Sequence, residues 1–467
     1  MLNKLVTFIL LALLLGGCSL IPEYLRPSSP VAETWPVGES YLEHEAGSAA
    51  EIALQDYIQS VPLKQLINRV LDNNRDLKIA ALNIEQAQAA YRIQRTALTP
   101  TVTANGSGSR AAVPDDTSSR GDGYTYTSVG ANVALAAYEL DFFGRVRSLN
   151  QQALETYLAT EEAFVSARIS LIAETANAYL AYLADQKLLQ LAQETRDTQQ
   201  KTYEVIKRQF DVGSANQLDV AQAATAVESA KVSIAQYTRQ LAQAKNALVY
   251  LAGSPVDDLL DSGETIDSIR FMANLPAGLP SEVLLARPDI RRAEHQLKAA
   301  NADIGAARAA LYPTISLTGA FGLASDSLDG LFSSGARYAW NFTPSLTMPI
   351  FNRGRLKASL AVAEVNEKIA ATQYEQAIQT AFREVADQLA ARGTYQTQLE
   401  AQNALVAATS QAFELSQARY ENGIDDFLTV LDSQRSLFAA KQGAVSVKQA
   451  NLANLITLYK VLGGGQL

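Results

Sequence analysis

Apolar residues recur three and four apart along most of this chain. Ile169, Ile172, Ala176, Tyr179 and Leu183 keep that spacing, as do Leu452, Leu455, Tyr459 and Leu462. It is the period of one helix face, in the coiled-coil-like form that seats helices side by side. The flanking sequence is rich in Ala, Gln, Glu, Leu and Lys, which favour helix, and the two longest stretches hold no proline. The pattern predicts helices over 62–98, 144–209, 215–251, 281–311, 354–419 and 425–462. A helix of about 65 residues is about 100 Å long. It cannot fold back inside a compact domain and must lie beside other long helices, which the abundant alanine allows at close range. A solid coiled coil without a lumen satisfies the same period.

A second period marks shorter regions. Trp340, Phe342, Pro344, Leu346, Met348 and Ile350 alternate with Asn341, Thr343, Ser345 and Thr347. Ile315, Leu317, Gly319, Phe321 and Leu323 repeat the pattern, and Val129, Ala131, Val133 and Leu135 repeat it more weakly. Period two with an uncharged outer face and a small polar inner face is that of a membrane-barrel strand. A soluble sandwich strand alternates in the same way, and Pro344 and Pro349 speak against a ladder because proline lacks the donor. Strands are expected near 99–110, 124–141, 313–325 and 338–351. Four strands fall short of the roughly eight that a single-chain barrel needs, and lipid tolerates no open sheet edge. In a membrane, each copy would therefore donate a quarter, a third or a half of one shared barrel. The expected class is mainly α with a small membrane β part.

The order of elements repeats. Ala97-Leu98-Thr99-Pro100-Thr101-Val102-Thr103 matches Ala310-Leu311-Tyr312-Pro313-Thr314-Ile315-Ser316, and Asn74-Arg75-Asp76-Leu77 matches Arg287-Pro288-Asp289-Ile290. Phe142-Phe143-Gly144-Arg145-Val146 parallels Asn352-Arg353-Gly354-Arg355-Leu356. Phe210-Asp211-Val212-Gly213 parallels Tyr420-Glu421-Asn422-Gly423, and Leu251-Ala252-Gly253 parallels Leu462-Gly463-Gly464. Five matches in register argue for duplication. The layout is repeat 1 over 62–253, a linker over 254–280 and repeat 2 over 281–467.

The N-terminus adds a destination. Lys4 precedes an apolar run from Leu5 to Leu15, shorter than the about 20 residues a membrane helix needs. The run ends in Leu15-Gly16-Gly17-Cys18, where small residues suit a signal peptidase and the cysteine suits thioether lipidation. Residues 1–17 read as a signal peptide and 18–61 as the lipidated N-terminal segment. An ordinary signal peptide with a chance cysteine is the alternative. Ser19 follows the cysteine; an Asp there commonly retains lipoproteins at the inner membrane, so sorting to the outer membrane is expected. Cys18 is the only cysteine among the 467 residues, and the only histidines are His44 and His295. That leaves no internal disulfide, no zinc spacing and no histidine-based catalytic site. The net charge of −9 lacks a basic patch, so nucleic acid is not an expected partner.

Three stretches carry a family likeness. Arg287-Pro288-Asp289-Ile290-Arg291-Arg292-Ala293-Glu294, Ala299-Ala300-Asn301-Ala302-Asp303-Ile304-Gly305 and Tyr312-Pro313-Thr314-Ile315-Ser316-Leu317 resemble the hallmark region of the outer membrane factor family, the TolC-like exit ducts of tripartite efflux pumps. The lipobox and the terminal Leu458-Tyr459-Lys460-Val461-Leu462-Gly463-Gly464-Gly465 resemble the OprM/NodT-type lipoprotein branch, with Ala286 departing from its usual second arginine. The resemblance implies a homotrimer whose helices form a periplasmic α-barrel continuous with a shared twelve-stranded β-barrel. It implies an equatorial belt built from the N-terminal segment, the linker and the C-terminal end. It also implies a periplasmic adaptor, an inner-membrane transporter of the resistance-nodulation-division class and outer-membrane lipid as partners, with no cofactor beyond the lipid on Cys18.

A duct needs a docking end and a gate rather than catalytic residues. The glycine turns at 211–214 and 421–424 join long helices, and Val212, Gly213, Ser214, Asn422, Gly423 and Ile424 are the candidate adaptor-docking tips; a plain helix C-cap explains the glycines equally well. The stretch Phe427-Leu428-Thr429-Val430-Leu431-Asp432-Ser433-Gln434-Arg435 resembles the one in which the family closes its pore, making Leu428, Asp432 and Arg435 the candidate periplasmic gate. From spacing alone, Leu428 reads equally as core packing, and Asp432 with Arg435 as a surface pair worth roughly 0.2–0.5 kcal/mol. The expected function is a small-molecule efflux duct. A type I protein-secretion duct shares the architecture but usually lacks the lipobox. A constitutive porin leaves the long helices without purpose, and a lipoprotein tether leaves the strands without one. Mature Cys18 is expected to carry a covalent lipid in the outer-membrane fraction; an unmodified Cys18 or an uncut N-terminus in the mass spectrum overturns this.

Overall fold

In a computed structural model of the chain, which describes residues 19–41, 52–119, 121–272, 275–333 and 337–464, the two periods become helices and one sheet. Repeat 1 runs α1 (Leu54–Tyr57), α2 (Val61–Asn73), α3 (Arg75–Thr96), β1 (Thr101–Val113), β2 (Tyr124–Leu140), α4 (Arg145–Asp211) and α5 (Gln217–Ala252). After α6 (Asp257–Leu260), repeat 2 runs α7 (Pro280–Ala286), α8 (Pro288–Ala309), β3 (Thr314–Ser325), α9 (Leu328–Leu331), β4 (Arg337–Thr347), α10 (Arg355–Glu421) and α11 (Phe427–Val461). The long helices α4 and α10 each have 67 residues. Among the described residues no helix is long and apolar enough to cross a membrane. Cys18 and His44 lie outside the described residues.

The chain forms two compact units, one from residues up to 28 with 83–161 and 292–374, the other from 29–82, 162–291 and 375 onward. The first holds the sheet. Its strands are all antiparallel in the order β1-β2-β3-β4, so β2 of repeat 1 pairs with β3 of repeat 2, while β1 and β4 form the outer edges. Phe321 stands opposite Trp340 and Leu317 opposite Pro344, and the ladder slips between Leu135 and Tyr138. β4 ends at Thr347, short of the expected 351, because Pro349 has no donor to extend a ladder. Pro344 does lie within β4, opposite Leu317 of β3, so the sequence-based objection to a strand there does not hold. Trp340, Phe342 and Leu346 share one exposed face of that strand.

The second unit has a conventional core. The predicted stripe Ile169, Ile172, Ala176, Tyr179 and Leu183 is buried, as are Leu452, Tyr459 and Leu462, with Leu455 half-buried. Tyr57 stacks between Phe271 and Tyr459, with ring centroids 5.6 and 4.2 Å away, and donates to the Leu455 carbonyl at 2.7 Å. Trp35 stacks on Phe382 and donates to the Gly278 carbonyl at 3.0 Å. The N-terminal segment, the linker and the last helix thus touch through aromatic side chains.

One expectation needs correction. The opening helical stretches expected over 62–98 and 281–311 are each interrupted, at Asn74 and at Arg287, where ψ is 130° and 134°. Pro288 disfavours a helical backbone at the residue before it. Asn74 breaks its helix by capping the next one: its Oδ1 accepts from the Leu77 amide at 3.0 Å, while its Nδ2 donates to the Leu251 carbonyl at 3.0 Å. Arg287 donates to the Val461 carbonyl at 2.9 Å. Both breaks therefore hold the last turn of their own repeat's final helix, whose carbonyls lack helical partners.

Arg287 is charged where Asn74 is neutral, and it brings its own counterions. It donates to both oxygens of Asp289 at 3.0 and 2.7 Å and to Glu384 at 2.7 Å. Burial works against its charge, but hydrogen bonds and the charges of Asp289 and Glu384 outweigh that and raise its pKa. Burial likewise pushes the Asp289 carboxyl up, and Arg287 with the Ile290 amide pulls it below the usual carboxylate range. The stability that Asp289 contributes is therefore present above about pH 3.9 and is lost as pH falls through its lower folded value. Arg287→Ala should cost about 2–3 kcal/mol, less than a fully buried pair because the side chains of Asp289 and Glu384 keep 34% and 40% exposure. In thermal or denaturant unfolding the variant should also lose the parent's added destabilisation below pH 4; equal stability of the two proteins at neutral pH overturns the assignment.

Candidate functional site

Both glycine turns are closed Schellman caps. The Ser214 amide donates to the Gln209 carbonyl at 2.8 Å and the Gly213 amide to Phe210 at 2.9 Å; the Ile424 amide donates to Arg419 at 2.9 Å and the Gly423 amide to Tyr420 at 2.9 Å. Gly213 and Gly423 have φ of 80° and 70°, the left-handed conformation that this cap requires. Each turn is followed by a side-chain cap: Asn216 accepts from the Asp219 amide, and Asp426 from the Thr429 amide. Only the second turn is bridged by an ion pair, Arg419 donating to both oxygens of Asp425 at 2.6 and 2.8 Å. Helix capping thus explains the glycines, while Val212, Gly213, Ser214, Asn422, Gly423 and Ile424 all remain exposed.

The second unit brings the two turns together. Ile206, Ala223 and Ala226 from the first hairpin pack with Phe427, Val430 and Leu431 from the second, and Tyr203, Phe413 and Tyr420 lie against them. The Tyr420 hydroxyl donates to Gln209 Oε1 at 3.0 Å, tying one turn to the other. The six candidate docking residues therefore form two neighbouring loops.

The same cluster decides the face that Leu428 occupies. Phe427, Val430 and Leu431 take the inward positions, and Leu428 is left 45% exposed. Within one subunit it is not core packing. Asp432 and Arg435 lie on the surface, 3.5 Å apart, as the i,i+3 pair that spacing predicts. The turn glycines are 210 positions apart, and at that offset Leu218 in repeat 1 is also exposed, while Gln222 and Thr225 stand where repeat 2 has Asp432 and Arg435. The charges are peculiar to the second hairpin.

The hallmark stretch does something that its residue types did not disclose. In the first unit, Glu294, Lys298, Asn301 and Gly305 line one face of α8 and hold the segment just after Cys18. Arg26 donates to both oxygens of Glu294 at 2.8 and 3.0 Å, Tyr24 donates to Glu294 at 3.3 Å, and Lys298 lies 3.1 Å from the same carboxylate. Asn301 donates to the Pro22 carbonyl at 2.9 Å. A Cβ on Gly305 would stand 2.9 Å from the Ile21 Cα, so only glycine lets the segment lie there. Spacings of four, three and four along a helix were the available signal. His295, on the same helix, meets Glu155 of α4 at 2.6 Å, and no described cluster of His, Cys, Asp and Glu suits a metal.

A four-stranded sheet with two free edges and an exposed apolar face, joined to 67-residue helices, belongs to an oligomeric membrane channel. The chain belongs to the outer membrane efflux protein family, whose pattern it matches twice, over residues 66–254 and 279–464. One match falls in each half of the chain. Over all 467 residues it is 47% identical to the antibiotic efflux pump outer membrane protein ArpC of Pseudomonas putida, spanning 100% of this chain and 96% of that one. The toluene efflux pump outer membrane protein TtgC of the same species has equal identity and coverage. The open-state outer membrane channel MtrE of Neisseria gonorrhoeae superposes with a TM-score of 0.88 at 40% identity, over 96% of this chain and 99% of that one.

Gly305→Ala should displace the N-terminal segment without unfolding the unit. Chymotryptic cleavage after Tyr24 is expected to quicken severalfold; an unchanged rate means that Gly305 does not set the segment's position.

Proposed function

We propose that this channel is the exit duct of a tripartite efflux pump and acts as a passage rather than as a catalyst. Three copies share one barrel, a periplasmic adaptor meets the tips, and an inner-membrane transporter of the resistance-nodulation-division class supplies the cargo. The cargo is small molecules: drugs, detergents and other toxic compounds. The observation that carries this reading is the full-length likeness to relatives named for antibiotic and toluene efflux. The free edges of β1 and β4 support the shared barrel, and the lipobox at Cys18 supports a lipid-anchored, outer-membrane destination over a type I secretion duct.

Leu428, Asp432 and Arg435 form the gate in this reading. An exposed leucine on each of three copies supplies the apolar ring that narrows and dewets an axis. The Asp432–Arg435 contact is a polar link that opens reversibly at small cost. Threefold symmetry multiplies a pair worth about 0.5 kcal/mol into about tenfold on the balance of closed and open forms. Carboxylates at a narrow passage favour cations.

Purified protein should run as a trimer in native mass spectrometry and conduct in planar bilayers. Leu428→Ala and Asp432→Ala should each raise single-channel conductance, and Asp432→Ala should also lower cation selectivity. Arg435→Ala should loosen the resting state with less effect on selectivity. Three variants that conduct like the parent place the constriction elsewhere, and a parent and variants that all fail to conduct overturn the duct.

A further inference from the structure

The two strand-to-helix junctions have the same backbone plan and opposite charge chemistry. Gly144 and Gly354 match across the repeats, with φ of 75° and 83°, and each opens a 67-residue helix. In repeat 1 the cations of that first turn are neutralised within the chain. Arg145 donates to Glu139, with Nε at 2.8 Å, and Arg147 to Asp141 at 3.2 Å. Asp141 also accepts from the Val146 and Arg147 amides at 3.1 and 2.9 Å.

At the same offset of 210, repeat 2 keeps the cations and discards both carboxylates. Arg355 stands for Arg145 and Lys357 for Arg147, while Pro349 replaces Glu139 and Phe351 replaces Asp141. Arg353 adds a further positive charge where repeat 1 has Phe143. All three cations are exposed, and among the described residues none of their side chains makes an ion pair or hydrogen bond. Three unpaired positive charges in five residues stand out in a chain of net charge −9.

The residues just before them are apolar. Ile350 and Phe351 are 92% and 83% exposed, and they follow β4, one exposed face of which carries Trp340, Phe342 and Leu346. Reading from β4 into α10, an exposed apolar face gives way within a few residues to cations without a partner among the described residues. That order matches a bilayer, whose acyl region borders a layer of headgroups in which anionic lipids attract juxtamembrane cations. In an outer-membrane channel whose helices extend into the periplasm, this border is the periplasmic leaflet.

We propose that the β4–α10 junction is a binding site for an anionic glycerophospholipid of the periplasmic leaflet, with Arg353, Arg355 and Lys357 around the headgroup phosphate and Ile350 and Phe351 against the acyl chains. The lipid takes the place that Glu139 and Asp141 fill in repeat 1. The inference rests on the strands being the membrane part of the channel and is independent of the gate.

The test is native mass spectrometry of the full-length trimer titrated with phosphatidylglycerol and, separately, with zwitterionic phosphatidylethanolamine. The parent should retain phosphatidylglycerol in preference. The variant Arg353→Gln/Arg355→Gln/Lys357→Gln should bind it at least about fivefold more weakly, the loss expected for one cation near an anionic surface. Its phosphatidylethanolamine binding should not change. Removing three cations elsewhere, with Lys201→Gln/Lys207→Gln/Lys231→Gln, should leave both lipids unaffected. Equal phosphatidylglycerol binding by parent and junction variant overturns the proposal. So does a junction variant that dissociates to monomers in lipid-free detergent, because carboxylates of a neighbouring copy are then the counterions. On the parent alone, phosphatidylglycerol retention should fall as salt rises and be unaffected by millimolar glycerol 3-phosphate; retention insensitive to salt, or displacement by the free phosphate, also overturns it.

Discussion

The amide and carbonyl groups along the outer edges of β1 and β4 constrain everything else in this molecule. Four strands in one antiparallel sheet leave two rows of unpaired groups, and each such group in hydrocarbon costs several kcal/mol. β4 has 11 residues and an apolar face fit for lipid, so its edge is satisfied only by a strand from another copy. A chain built this way is incomplete alone. Its helices inherit the copy number that the barrel sets, and a residue they expose meets a neighbouring subunit, the enclosed passage or the periplasm. The 45% exposure of Leu428 has meaning only in that setting.

Duplication supplies the second principle. Both repeats solve the same mechanical problems with one backbone: a broken first helix that holds the end of the last, a glycine before the long helix, a Schellman turn at its end. The side chains then diverge. Asn74 clamps its helix end as a neutral amide, and Arg287 does the same as a buried cation that requires Asp289 and Glu384. The first tip is capped by Asn216 and the second is braced by Arg419 and Asp425. At the strand-to-helix junctions, Arg145 and Arg147 are paired, while Arg355 and Lys357 have no partner among the described residues. The shared backbone carries the architecture, and the differences mark where the halves meet different surroundings.

Much of the architecture was legible from residues because it depends on short periods. Apolar spacing of three and four placed each long helix to within two residues at either end, and alternation marked β2, β3 and β4. The single glycines at 213 and 423 announced turns that need a left-handed residue. The break at Arg287 was visible in Pro288, whereas the one at Asn74 was not, since asparagine becomes a cap only when a donor and an acceptor are in reach. Of the candidate gate, the Asp432–Arg435 pair was legible because it is local; the position of Leu428 outside the core was not, because Phe427, Val430 and Leu431 had equal claim to be inside.

By itself, then, the sequence determined the duplication, the kind and order of elements, the number of strands and hence the need for more than one copy. Tertiary structure alone decided which helix face is inward, that Glu294, Asn301 and Gly305 hold the segment that follows Cys18, and which cations have no partner among the described residues. The reason is physical. A period records what each residue does relative to its near neighbours, whereas Arg26 and Glu294 are 268 positions apart and become partners only when folding brings α8 beside the N-terminal segment.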